Sequence, residues 1–128
     1  MDLKQHNTHL VKVGEADFRS QVLNSRQPVL VAFLAPWSHP CQVVDSVLEQ
    51  VATAFGGKVK VVRVNADDNP DLSLWYEIQS IPTLLYFAEG TLRERIVGTV
   101  SKEAIFAKFG TCLKGNRTLT SANARSTT

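Results

Sequence analysis

The chain has 128 residues, with 14 Lys and Arg against 12 Asp and Glu and a formal net charge of +2 at pH 7. At 44% hydrophobic and 20% charged it can build one packed core, is too short for two, and is neither disordered nor fibrous in composition. Three of the cations (Lys114, Arg117, Arg125) follow residue 113 in a stretch without acids, so 11 bases face 12 acids in the body, which gives no electrostatic footing for nucleic acid or a membrane surface.

No run of 18 apolar residues is present, and the first residues lack the apolar stretch of a secretory leader, so a cytoplasmic protein is expected. Cys41 and Cys112 lie too far apart in sequence to read as a disulfide framework. A monomer is expected.

In chain order, residues 1–9 are polar and read as a flexible N-terminus. Val11 and Val13 suggest a short strand. Phe18, Val22 and Leu23 give a modest helical pattern between Glu15 and Ser25. The apolar run from Val29 to Leu34 is too short for an ordinary helix and reads as a strand buried on both faces. After Trp37, the residues Val43, Val44, Val47, Leu48, Val51 and Phe55 form one helical stripe, with Asp45, Glu49 and Gln50 elsewhere and Gly56-Gly57 as its stop. Val59 to Val64 is a second buried strand, and a short helix runs from Asn69-Pro70-Asp71 to Tyr76. Thr83 to Phe87 is a third strong strand, turning at Glu89-Gly90 into another from Arg93 to Val97. Ser101 can cap a last helix whose apolar side is Ile105, Phe106, Phe109 and Leu113. The Ser-, Thr- and Asn-rich residues 114–128 read as a disordered tail.

The alternation of strands and helices predicts an α/β fold. Its early strands should be parallel, its last two antiparallel, and its mixed sheet of about five strands covered by helices on both faces. The chemistry is concentrated in Trp37-Ser38-His39-Pro40-Cys41, which leaves a buried strand and opens the longest helix. As N-cap, the Ser38 hydroxyl can accept from the backbone N–H of Cys41, worth about 1 kcal/mol.

Over residues 10–113 the chain resembles the thioredoxin family. The resemblance rests on Val29-Leu30-Val31, Trp37 with Pro40-Cys41, Asn65-Ala66-Asp67, Ile81-Pro82-Thr83, Gly90 and Val97-Gly98, in order and spacing. It implies a thioredoxin-like domain whose Cys-x-x-Cys site would have Ser38 in the first position and Cys41 in the second. In the family the first thiolate, stabilised at a helix N-terminus, attacks a disulfide and the second thiol resolves the mixed disulfide. With Ser38 in place of the nucleophile, that two-electron couple is absent within the domain. Cys112, one turn after Phe109, reads as a packing residue rather than a substitute.

Other implied positions depart as well. The buried acid of the family corresponds to Ala32, and its basic partner to Arg63, which needs solvent or a carboxylate such as Asp67, or else would lower the pKa of Cys41. Leu34 stands for a frequent tryptophan, and Ser46 for a proline that kinks the helix. The binding surface is kept. Trp37, His39, Pro40, Ile81, Pro82, Val97 and Gly98 would flank Cys41, with a cis Ile81–Pro82 bond beside a backbone edge that pairs with an extended segment. No cofactor is expected, and His39 with Cys41, or His6 with His9, falls short of a metal set.

Three functions fit these residues. One is a monothiol protein that binds client segments and forms mixed disulfides through Cys41, with proteins or glutathione. The second is a non-catalytic binding or chaperone-like module; an exposed Cys41 favours the first and a deeply buried one the second. The third is a natural or engineered variant of an ordinary thioredoxin oxidoreductase.

Overall fold

Val29–Leu34 (β2) is buried at every residue, and alternate side chains feed two different cores. Leu30, Ala32 and Leu34 pack with Val44, Leu48 and Ile105 on one face of the sheet. Val29, Val31 and Phe33 pack with Phe18, Val22 and Leu72 on the other. A strand sandwiched in this way must be apolar throughout, which is why its sequence shows a run rather than an alternation.

The computed structural model describes residues 10–55, 57–99 and 101–110, with backbone alone for 109 and 110. The expectations for residues 1–9, Gly56, the Phe109 side chain, Cys112, Leu113 and the tail 114–128 lie outside the described residues. The sheet joins β2 to β1 (Leu10–Lys12), β3 (Lys60–Asn65), β4 (Thr83–Ala88) and β5 (Thr91–Val97) in the order β1-β3-β2-β4-β5. The first three strands are parallel, and β4 runs antiparallel to both β2 and β5. The α/β architecture is the expected thioredoxin-like one, with helices on both faces. The strand order, with β2 at the centre and antiparallel to β4, is what strand–helix alternation did not specify.

Among the described residues, four helical elements cover the sheet. The first, α1 (Arg19–Leu23), is shorter than expected and wound as a π turn, the Asn24 amide reaching back to the Arg19 carbonyl. The longest, α2 (His39–Phe55), buries Cys41, Val44, Leu48, Val51 and Ala52. Val44, Leu48 and Val51 of the expected stripe are buried and Val47 and Phe55 pack against them, but Val43 is 43% exposed, because the seam is centred on Val44 and Leu48 and takes in Cys41 and Ala52 instead. Next, α3 (Pro70–Trp75) begins with proline, whose missing N–H is no loss at a first helical position. Its N-cap Asn69 spends its side chain on tertiary ties, accepting from the Glu15 amide and donating to the Asn65 carbonyl. Last, α4 (Lys102–Ile105) runs on in π-type winding through Phe106–Gly110, and the Ser101 hydroxyl caps it by accepting from the Ala104 amide at 3.1 Å.

The β4–β5 turn explains its residues. Glu89 and Gly90 both have positive φ (57° and 76°), the twist that a two-residue hairpin favours. A Cβ at Gly90 would also come within 2.9 Å of the Leu23 carbonyl, so a side chain there is excluded twice.

Tyr76, which caps the C-terminal end of α3, anchors that helix in a ring cluster with Phe18, Phe87 and Phe33, centroids 5.5, 5.6 and 6.5 Å away. Burial raises its phenol pKa above the ordinary 10.0. The folded state therefore holds this proton more tightly than the unfolded state. The resulting stability is complete below pH 10.0 and is lost as pH rises through the raised folded value. Tyr76→Phe should remove that step from an alkaline series of unfolding curves. In the same assay Leu48→Ala should cost about 2–5 kcal/mol. Val43→Ala should cost about 0.5 kcal/mol or less, whereas the stripe read from sequence gives them similar costs.

Candidate functional site

The strand register brings four segments to one end of the sheet. Leu34 lies beside Asn65, Phe33 beside Thr83, and Thr83 beside Val97. The chain leaving β2, the loop after β3, the entry to β4 and the exit of β5 therefore share an edge. That edge carries Trp37 to Cys41, Ala66-Asp67, Ile81-Pro82 and Val97-Gly98, which are every predicted site residue except Arg63.

Each segment has its own local cause. The Ser38 amide donates to Ala35 O, and the Gln42 amide donates to Ser38 O as the helix begins. The Ser38 hydroxyl accepts from the Cys41 amide at 3.3 Å, as expected for an N-cap, and the side chain is buried. Gln42 Nε2 donates to Pro36 O, which holds the loop before the helix. After β3, Asn65 Oδ1 accepts from the amides of Asp67 and Asp68, an Asx turn. This turn aims Asp67 at the indole of Trp37, whose Nε1 donates to Asp67 Oδ2 at 2.6 Å. The Ile81–Pro82 peptide is cis, the Thr83 hydroxyl donates to Ser80 O, and Gly98 (φ 95°) donates its amide to Pro82 O at 2.8 Å. Ile81 makes no hydrogen bond to another described residue.

Exposure divides the site in two. Trp37, His39, Pro40 and Val97 face solvent, and Ile81 is half-buried. Cys41, by contrast, is 2% exposed and sits in the core with Leu30, Ala32, Leu34, Val44 and Leu84. The thiol is thus a member of the apolar core, not of the exposed edge that carries Trp37 and Val97.

Arg63 requires a correction. It pairs in register with Ala32, on the α2 side of the sheet, but its partner is not Asp67. Its Nε donates to Asp45 Oδ1 at 2.5 Å and its Nη2 to Asp45 Oδ2 at 3.0 Å and to Glu49 Oε2 at 3.3 Å. Two carboxylates one helical turn apart on α2 occupy the guanidinium, so it does not serve Cys41 as a free cation. The sequence places both acids off the apolar stripe of α2 and gives no sign that β3 reaches them. Asp67, expected as a landmark and as a carboxylate for Arg63, bonds Trp37 instead, a contact the sequence does not reveal. The described residues hold no group of three or more His, Cys, Asp or Glu arranged to bind a metal, and among them no helix is long and apolar enough to cross a membrane.

The sequence model of the thioredoxin family matches residues 9–110. This chain belongs to that family. Thioredoxin 1 of Nostoc sp. is 44% identical over 94 residues, 73% of this chain and 88% of its own length. The thioredoxin of Pyropia yezoensis is 40% identical over the same lengths. The protein named Thioredoxin M5, chloroplastic, of Oryza sativa subsp. japonica is 41% identical over 96 residues, 75% of this chain and 56% of its own length. Within a thioredoxin fold, Ser38 to Cys41 occupies the first turn of the helix that follows the central strand, and Ile81-Pro82 opens the strand beside it.

Removing the cap tests how the helix mouth is held. Ser38→Ala should destabilise the protein by about 1 kcal/mol in chemical denaturation. No loss would mean that the hydroxyl does not carry the Cys41 amide.

Proposed function

We propose that this thioredoxin-family protein binds extended protein segments along the edge formed by Trp37, Ile81 and Val97, without dithiol–disulfide turnover. The observation that carries the reading is the placement of sulfur at the mouth of α2. Cys41 is in the core, and the position three residues before it holds a buried hydroxyl already engaged by the Cys41 amide.

The chemistry follows from that arrangement. In a dithiol cycle a thiolate attacks a client disulfide, forming a protein–client S–S bond and releasing one client thiolate. A second protein thiol then displaces the other client sulfur, and the protein is left oxidised by two electrons. Ser38 supplies no thiolate for the first step, since an alkoxide is scarcely formed at pH 7. Cys41 alone could reach only the mixed disulfide, which an external thiol would have to break, and it would first have to leave the core. Burial thus supports binding alone over a monothiol exchange with clients or glutathione. The binding edge is supported by the unpaired backbone of Ile81 among the described residues and by the exposed side chains of Trp37 and Val97. Those are the main-chain and pocket elements with which a sheet edge takes up an extended strand.

Two assays test the reading together. The chain should reduce insulin disulfides no faster than the background, and oxidised glutathione should leave its intact mass unchanged under native conditions. Ser38→Cys should lose two hydrogens in mass on oxidation and gain measurable reductase activity. Robust turnover by the unsubstituted chain, or a glutathione adduct abolished by Cys41→Ala, would defeat the proposal.

A further inference from the structure

Leu74 and Trp75, adjacent on α3, are 76% and 77% exposed, and Trp37 is 70% exposed. Single apolar side chains on a surface are ordinary, but two large neighbours extended into solvent are not explained by the fold. Leu72 and Tyr76 already anchor α3 to the core, so neither Leu74 nor Trp75 is needed to hold it. Leu74 lines a groove of about 510 Å³ together with Asp67, Pro70, Ser73 and Glu77, among others. Asp67 forms one wall and also accepts the Trp37 indole N–H, so the groove continues into the binding edge described above.

The charge of this region is one-sided. From residue 64 to residue 80, which covers the loop after β3, α3 and its exit, there is no Lys or Arg, whereas Asp67, Asp68, Asp71 and Glu77 fall within it. The groove lining contains two carboxylates and no base.

We propose that α3 and the loop before it dock a lysine- or arginine-bearing extended segment of a partner protein. Its apolar side chains would lie on Leu74 and Trp75, and its cations would face Asp67, Asp71 and Glu77. The proposal rests on the binding function above and deepens it by naming the chemistry of the client. Exposed tryptophan offers a large rigid contact area at low entropic cost, and its ring face attracts a cation. Carboxylates at the rim speed the encounter with a cationic segment and disfavour an anionic one.

The test reads fluorescence anisotropy of short labelled peptides, matched in length and leucine content, that carry arginine, glutamine or glutamate. With the full chain, the arginine peptide should bind about tenfold tighter than the glutamate peptide, and added salt should narrow the gap. Trp75→Ala and Leu74→Ser should each weaken the arginine peptide about tenfold, with the unfolding midpoint unchanged. Glu77→Lys should shift the preference toward glutamate, and Val97→Ser should weaken all three peptides alike. Equal affinity for the three peptides, with Val97→Ser still effective, would overturn the charge-selective face and leave the binding function standing. Binding of no peptide would overturn both. Replacing Lys114, Arg117 and Arg125 by Gln should leave the affinity unchanged. A gain of about tenfold there would make the chain's own tail the occupant and overturn a partner in that role.

Discussion

A single hydrogen bond at the start of α2 constrains the rest of the site. Because the Cys41 amide is satisfied by the Ser38 hydroxyl, the helix begins with its first turn folded onto the core. Cys41 then faces Leu34, Val44 and Leu84 instead of solvent. The same geometry that places a thiolate at a helix N-terminus in a redox enzyme here places a neutral hydroxyl cap at Ser38. The charge balance nearby agrees. Ala32 puts a methyl group where a proton-transfer acid would serve a resolving thiol, and Arg63 on the adjacent strand is taken up by Asp45 and Glu49.

What persists is a surface. The sheet register fixes the segments that carry Trp37, Ile81-Pro82 and Val97-Gly98 at one end, because Phe33 pairs with Thr83 and Thr83 with Val97 where β2 ends, β4 begins and β5 ends. Asn65 and Asp67 extend that end toward α3 through the Asx turn and the bond to Trp37. The position of this edge thus depends on the core and the sheet pairing, and not on the identity of residue 38.

The sequence reading succeeded where the physics is local. The continuous apolar runs of β2 and β4, the Ser101 and Ser38 caps and the Glu89-Gly90 turn each follow from residues within a few positions of one another. It failed where a side chain meets a distant one. Asp45 was placed off the apolar stripe of α2 with no partner, whereas β3 brings Arg63 to it, and Val43 was placed in a stripe whose centre lies at Val44 and Leu48. α1 was drawn too long, because its three apolar residues are equally compatible with one π turn joined to an irregular loop. The exposure of Leu74 and Trp75 had no local signal either. In a six-residue helix the periodicity is too short to tell a buried apolar residue from an exposed one.

The proposed absence of thiol turnover follows from the depth of Cys41. Alkylation of Cys41 by a small reagent, timed in native buffer and again in urea, measures that depth directly, with the other cysteine removed by Cys112→Ser. Modification in native buffer should be at least about a hundredfold slower than in urea, since the thiol must wait for local opening of the helix mouth. Native labelling as fast as that of the unfolded chain would place Cys41 at the surface and remove the case against a reactive thiol.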